Sequence, residues 1–112
     1  MLFTLLVVGS LLARPEVTIS QGMIESHMNP YARGRHHDVG AFQVIPKYWG
    51  KVPSDLRGQA KQNEKIMDEL LRASNGNLHL ALQHYNGKGH AAKRYADRVL
   101  LGALRFSMLG QT

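Results

Sequence analysis

The sequence has no cysteine and comparatively few aromatic and acidic residues. Without cysteine it has no disulfide framework, no thiolate nucleophile and no cysteine-ligated zinc or iron–sulfur site. Its 8 acidic residues face 14 lysines and arginines, so the formal net charge is +6. A basic surface favours polyanionic partners such as nucleic acid, anionic lipid or bacterial wall polymer, although it also keeps a protein soluble. A chain of 112 residues can bury one core but is too short for two domains or a doubly wound nucleotide-binding fold.

A long apolar run occurs within residues 1–13. The twelve residues from Leu2 to Ala13 are too few to span a bilayer, which takes about 20. No lysine or arginine precedes the run, whereas a signal peptide normally begins with basic residues. We therefore expect a buried first helix that ends at Arg14-Pro15, with a signal or membrane segment as the alternative.

Helical periodicity dominates the rest of the chain. Apolar residues recur at helical spacing in four segments that we expect to be helices, at about 15–27, 55–74, 77–86 and 90–108. Residues 30–54 are rich in glycine and proline and predict turns, with a short extended piece at 41–45. The sequence therefore predicts a single all-α domain over residues 1–112, with about five helices and one irregular loop or short β excursion near residues 30–50.

Glu25 is the first candidate for chemistry. It is expected in the last turn of the helix at 15–27, just before an Asn29-Pro30 turn. The end of a helix carries partial negative charge, which raises the pKa of a carboxyl group there. A raised pKa is what a general acid needs, whereas an ordinary exposed glutamate is the alternative for any single position.

Four short motifs accompany Glu25 in a fixed order: ESHMNP from Glu25, GAFQV from Gly40, LQHYNGKG from Leu82 and YADRV from Tyr95. Together, over about residues 11–100, they resemble the SLT domain of the lytic transglycosylases in the lysozyme-like superfamily. The chain is similar in particular to short transglycosylases of secretion and conjugation systems and of bacteriophage virions. The resemblance implies an α-rich, lysozyme-like fold.

The resemblance also implies an activity, which is cleavage of the β-1,4 bond between N-acetylmuramic acid and N-acetylglucosamine in peptidoglycan, with 1,6-anhydromuramic ends as products. The implied partners are peptidoglycan glycan strands and other components of a secretion system, pilus or phage particle. It implies no cofactor, no specific nucleic acid and a monomer. The protein would act in the periplasm or cell wall, either exported or as part of a virion.

Individual roles carry over by motif position. Glu25 would be the single general acid and base, because the nucleophile is the substrate's own 6-hydroxyl group. Ser26 would help to arrange the site, and Gly40 would let the backbone approach the sugar closely. Gln43 would donate a hydrogen bond to an N-acetyl or hydroxyl group, with a solvated glutamine as the alternative.

Four further positions belong to the same motifs. Phe42 stands where the family usually has methionine, and its ring would stack on a pyranose or fill the core. Tyr85 and Asn86 would line the cleft at a helix end. Tyr95 would reach Glu25 and orient it, or would be a core tyrosine with a satisfied hydroxyl group.

Other readings stay open. Asp38 is a possible auxiliary residue that would position water in a hydrolytic muramidase, but a turn-forming aspartate is the favoured explanation. A non-catalytic wall-binding or nucleic-acid-binding module is the alternative from another class, with Arg94, Arg98 and Arg105 as a basic stripe. The histidines do not predict a metal site, because adjacent ones such as His36 and His37 point apart in extended chain.

Overall fold

The computed structural model describes residues 14–109. The expected first helix, or the alternative signal or membrane segment, falls within residues 1–13 and therefore lies outside the described residues. The described chain forms five helices and no sheet: α1 (Pro15–Ser26), α2 (Pro46–Trp49), α3 (Leu56–Ala73), α4 (Leu78–Asn86) and α5 (Gly89–Leu109). The all-α class is thus confirmed. None of these five helices combines the length and the apolar character needed to cross a membrane.

Local signals explain most helix boundaries. Pro15 begins α1, where its missing N–H group costs nothing, and a left-handed His27 with a φ of 58° ends it. The Asp55 carboxylate accepts a hydrogen bond from the Gly58 N–H group and caps α3. Asn77 caps α4 in the same way through the Leu80 N–H group. These signals are visible in the sequence. The observed limits of α1, α3, α4 and α5 lie close to the predicted ones.

The short helix α2 was not expected. It is a single turn of four residues that Pro46 initiates inside the segment predicted to be turns. One turn is too short to show a hydrophobic period.

Helices α1 and α5 pack closely and set the position of Glu25. The Ser20 hydroxyl group donates a hydrogen bond to the Val99 carbonyl oxygen at 2.7 Å. Opposite it, Gly102 leaves no room for a side chain, because a Cβ atom there would overlap the Ser20 hydroxyl oxygen. The core beneath this contact joins α1, α3, α4 and α5 and consists of Val17, Met67, Ala81, Leu82, Tyr95, Ala96, Val99 and Ala103.

The irregular segment between α1 and α2 folds over a second core of Met28, Ala41, Phe42, Val44, Ala60 and Ile66. The expected extended piece at 41–45 is not a strand. Val39 and Val44 exchange two backbone hydrogen bonds of 2.8 and 3.1 Å, and the residues between them form a tight turn. Positive φ angles of 85° at Gly40 and 51° at Gln43 reverse the chain there.

Candidate active site

Glu25 lies in the last turn of α1, half-buried, and lines a cavity of about 380 Å³ with Asn86, Arg94, Tyr95 and Arg98. Burial raises the pKa of its carboxyl group from 4.5 to about 7, and the nearby charge of Asp38 adds to the rise. A hydrogen bond from Tyr95 opposes the rise in this pKa without cancelling it. Near neutral pH the carboxyl group can therefore both donate and accept a proton.

A chain of buried polar groups leads to Glu25 from the interior. The Asn63 side-chain amide donates to the Gln21 carbonyl oxygen at 2.9 Å. The Gln21 amide nitrogen in turn donates to the Tyr95 hydroxyl oxygen at 3.5 Å. The Tyr95 hydroxyl group donates its own proton to Glu25, and this hydrogen bond lowers the pKa of the Glu25 carboxyl group. Tyr95 thus lies where the resemblance expects an orienting residue.

Gln21 and Asn63 support the position of Tyr95, and the sequence motifs did not predict this role. Both side chains are fully buried, and a buried amide needs partners. One feature of the sequence could have identified Asn63: it is an amide at a position that helical periodicity assigns to the buried face of α3.

The ring of Tyr85 stacks against the ring of Tyr95. The two rings stack nearly parallel, with centroids 6.2 Å apart and an interplanar angle of 4°. The Tyr85 hydroxyl group donates to the Phe42 carbonyl oxygen at 2.6 Å. Burial raises the pKa of both tyrosines, so both stay neutral and can act as hydrogen-bond donors.

Ser26 joins the end of α1 to the turn that follows. Its hydroxyl group donates to the Ala41 carbonyl oxygen at 2.7 Å and accepts from the Asn29 N–H group at 2.9 Å. These bonds use its one donor and one of its two acceptor positions. Ser26 therefore arranges the backbone around Glu25 rather than facing the cavity.

Phe42 and Gly40 do not have the sugar-contacting roles that the resemblance implies. Phe42 is only 1% exposed and packs in the second core, so its ring fills the core and cannot stack on a pyranose. Gly40 does not open a path for a sugar, because a Cβ atom there would come within 2.7 Å of the Gln59 side-chain oxygen. Its left-handed φ and this close packing explain the glycine.

Gln59, which the sequence reading also missed, holds the irregular segment together. Its carbonyl oxygen accepts from the Ala41 N–H group at 2.8 Å. Its amide nitrogen donates to the Pro30 and Pro53 carbonyl oxygens at 3.0 and 2.8 Å. A single buried side chain of α3 thus ties two points of the irregular segment, and one point of the connection between α2 and α3, to the helix.

A groove adjoins the Glu25 cavity. Asn86 also borders a second cavity of about 520 Å³, which Gln43 and Tyr85 line together with Tyr48 and Trp49 of α2. The Gln43 amide donates to the Gly40 carbonyl oxygen at 2.9 Å, so its orientation is set by its own turn. This cavity brings together Gln43, Tyr85 and Asn86. The aromatic pair on α2 was not predicted.

The contacts of Asp38 are with residues of its own loop. Its carboxylate accepts a hydrogen bond from the His36 N–H group at 3.1 Å, and it packs directly against Gly34. It does not line either of the two cavities described above. Within the described part of the chain, Glu25 is the only acidic residue that lines them.

Comparison with family models, curated proteins and solved structures found no match for this chain. Over residues 14–109 there is no group of three or more histidine, aspartate or glutamate side chains that could hold a metal ion.

Proposed function

We propose that this protein is a peptidoglycan lytic transglycosylase, in which Glu25 alone serves as general acid and then as general base. The observation that carries the proposal is the setting of Glu25. It is half-buried, its pKa is raised to about 7, and it lines a cavity that shares Asn86 with a second cavity. The four ordered motifs supply the substrate class, because they resemble those of enzymes that cleave the bond between N-acetylmuramic acid and N-acetylglucosamine.

The reaction needs one proton donor and no water. Protonated Glu25 gives its proton to the glycosidic oxygen as the bond from that oxygen to the muramoyl C1 atom breaks. The resulting Glu25 carboxylate accepts the proton of the muramoyl 6-hydroxyl group while that oxygen bonds to C1. The Tyr95 hydroxyl group, held by Gln21, stabilises the carboxylate between the two steps. The products are a 1,6-anhydromuramic end and a free N-acetylglucosamine hydroxyl group.

Hydrolysis is the second candidate, and one observation favours it: Asp38 is close enough for its charge to raise the pKa of Glu25. Most glycosidases use two carboxyl groups, of which one activates water or attacks the sugar. The hydrogen bond from His36 and the contact with Gly34 favour a structural role for Asp38. The transglycosylase reaction does not need a second carboxylate, and it is the better fit to this arrangement.

Digestion of purified sacculi, with mass spectrometry of the soluble products, tests the proposal. We expect anhydromuramic ends, lighter by one water than reducing ends. Glu25→Gln should lose at least about a hundredfold in rate, since an amide cannot deliver a proton. Glu16→Gln, at the other end of α1, is the matched control and should keep full activity. Asp38→Asn should keep more than about a tenth of the activity, because no proton transfer is removed.

Three outcomes would contradict the proposal. Reducing muramic ends, together with lost activity in Asp38→Asn, would make the protein a muramidase. Substantial turnover by Glu25→Gln would remove Glu25 from the reaction. Binding to sacculi without release of any product would indicate a wall-binding module.

A further inference from the structure

Two exposed aromatic side chains of α2 line the cavity that adjoins the cavity of Glu25. Tyr48 is 68% exposed and Trp49 is 37% exposed, although large aromatic side chains are usually well buried. Their cavity of about 520 Å³ shares Asn86 with the cavity of Glu25. Its volume lies within the range of about 300 to 1,000 Å³ that is typical of small-molecule sites.

The fold does not use the ring of Trp49 or its indole N–H group. Trp49 belongs to neither hydrophobic core. In the part of the chain that the structure describes, the ring contacts are those of Tyr85 with Tyr95 and of Lys47 with Tyr48. No hydrogen bond among the described residues uses the indole donor. A broad apolar face and one donor are therefore available to a ligand.

The lining of this cavity indicates an uncharged, N-acetylated sugar. Besides the aromatic rings it includes the side-chain amides of Gln43 and Asn86, and its described lining residues include no lysine, arginine, aspartate or glutamate. One face of a pyranose consists of C–H bonds that pack on an aromatic ring, and the groups at its edge form hydrogen bonds with amides. Because the Gln43 amide nitrogen donates within its own turn, its carbonyl oxygen is left to accept from an acetamido N–H group.

The order of sugars in peptidoglycan decides which residue this is. N-acetylmuramic acid and N-acetylglucosamine alternate, so both neighbours of the muramoyl residue that would react at Glu25 are N-acetylglucosamine. Each muramoyl residue carries a lactyl group, which is either a free carboxylate or is joined to a peptide, whereas N-acetylglucosamine is uncharged. A neutral cavity that adjoins the cavity of Glu25 fits N-acetylglucosamine on this ground as well.

We infer that Trp49 and Tyr48 form a stacking platform for the N-acetylglucosamine residue next to the muramoyl residue at Glu25. This inference rests on the proposed function and adds two positioning residues that lie outside the four motifs. Trp49 is the main ring of the platform, because the Lys47 ammonium group already lies over the Tyr48 ring, 5.8 Å from its centre.

The first test is tryptophan fluorescence. Trp49 is the only tryptophan in the sequence, so its emission reports on this site alone. The probe is the trisaccharide of N-acetylglucosamine, titrated into Glu25→Gln so that no bond is broken. We expect a saturable change in emission. Cellotriose, which lacks N-acetyl groups, should bind about tenfold more weakly because the Gln43 acceptor is then left without its partner.

The second test uses variants of the platform. In calorimetry with the same trisaccharide, Trp49→Ala should lose about tenfold in affinity, whereas Trp49→Phe should lose less than about threefold because a smaller ring still stacks. On soluble glycan strands, Trp49→Ala should raise KM about tenfold and change kcat less than about threefold, as expected for a residue that binds without reacting. The control Tyr31→Ala removes an aromatic side chain that is 80% exposed and lines neither cavity, and it should keep the wild-type values.

Tryptophan emission that does not respond to millimolar trisaccharide would overturn the inference. Equal affinities of Trp49→Ala and Tyr31→Ala for the trisaccharide would overturn it too, and equal binding of cellotriose would refute the assignment to N-acetylglucosamine. The proposed function fails in a different way. If the trisaccharide binds through Trp49 but the wild type forms no anhydromuramic ends from sacculi, the sugar site stands and the transglycosylase reaction is contradicted.

Discussion

At the scale of single residues, the fold keeps Glu25 where its charge is disfavoured, and this should be measurable as a loss of stability. The pKa of its carboxyl group is 4.5 when unperturbed and about 7 in the folded protein. Between these two values the unfolded chain releases a proton that the folded protein keeps. The free energy of unfolding therefore falls as the pH rises from about 4.5 to about 7, and is constant outside this interval as far as Glu25 is concerned.

We predict that the free energy of unfolding of Glu25→Gln, relative to that of the wild type, increases between pH 4 and pH 8. The expected increase is about 1 to 3 kcal/mol. The glutamine cannot ionise, so the variant escapes the cost of burying a charge. Urea unfolding of both proteins at about pH 4, 6 and 8 measures this difference. Glu16→Gln serves as the control and should still lose stability as the pH rises from about 4.5 to about 7, because it retains Glu25. A gap between wild type and Glu25→Gln that does not change with pH would contradict the raised pKa.

A residue's role could be predicted from the sequence when it belongs to a short motif, but not when its partners are distant along the chain. Glu25 and Tyr95 could be identified because both belong to short motifs with a recognisable order. Gln21, Gln59 and Asn63 could not, because each acts through partners far away in the chain: Gln21 and Asn63 are 42 residues apart and Gln59 and Pro30 are 29 apart. A sequence shows that an amide faces the core, but not which distant group it meets there.

At the scale of helices, the contact between α1 and α5 determines which residues face Glu25. Ser20 and Gly102 meet between the two helices. A glycine in a helix interior normally destabilises it by about 1 kcal/mol relative to alanine. Here a glycine is favoured, because a methyl group would push the Ser20 hydroxyl group away from its bond to Val99.

We predict that the effects of Ser20→Ala and Gly102→Ala on stability are not additive. In the wild type, Gly102→Ala should be neutral or destabilising, since the gain in helix propensity is offset by overlap with Ser20. With Ser20→Ala present, the overlap with the hydroxyl oxygen is gone and Gly102→Ala should be more favourable by at least about 1 kcal/mol. Chemical denaturation of the four proteins of this cycle gives the coupling energy. Additive effects would mean that the helices can move apart at this point without loss.

The helices themselves could be predicted where local and global preferences agree. α3, α4 and α5 have an apolar face at helical spacing, and α3 and α4 have a capping side chain as well. The segment at 41–45 is different. Its apolar residues suggest an extended strand, but no neighbouring strand is present in the described chain, and the Val39–Val44 pairing bends it into a turn. Tertiary contacts to Gln59 decide that conformation.

At the scale of the whole molecule, the excess of positive charge is the feature that neither the core nor the candidate site requires. The net charge is +6, and over residues 14–109 only Arg14 and His79 are paired with an acidic residue at short distance. Most basic side chains are therefore available to a polyanionic surface. Peptidoglycan is such a surface, because its stem peptides carry carboxylates and attached polymers often add further negative charge.

We predict that binding of Glu25→Gln to intact sacculi weakens at least about tenfold between roughly 50 mM and 500 mM salt, as the Debye length shrinks from about 14 Å to about 4 Å. The inactive variant is used so that the sacculi are not consumed, and a sedimentation assay measures the bound fraction. The matched measurement is turnover by the wild type of a short muramoyl oligosaccharide whose lactyl carboxyl groups are blocked as simple amides. It should change less than about twofold because a neutral substrate is not steered by charge. If binding to sacculi were independent of salt, contacts in the groove alone would hold the wall, and the basic charge would have to serve another partner.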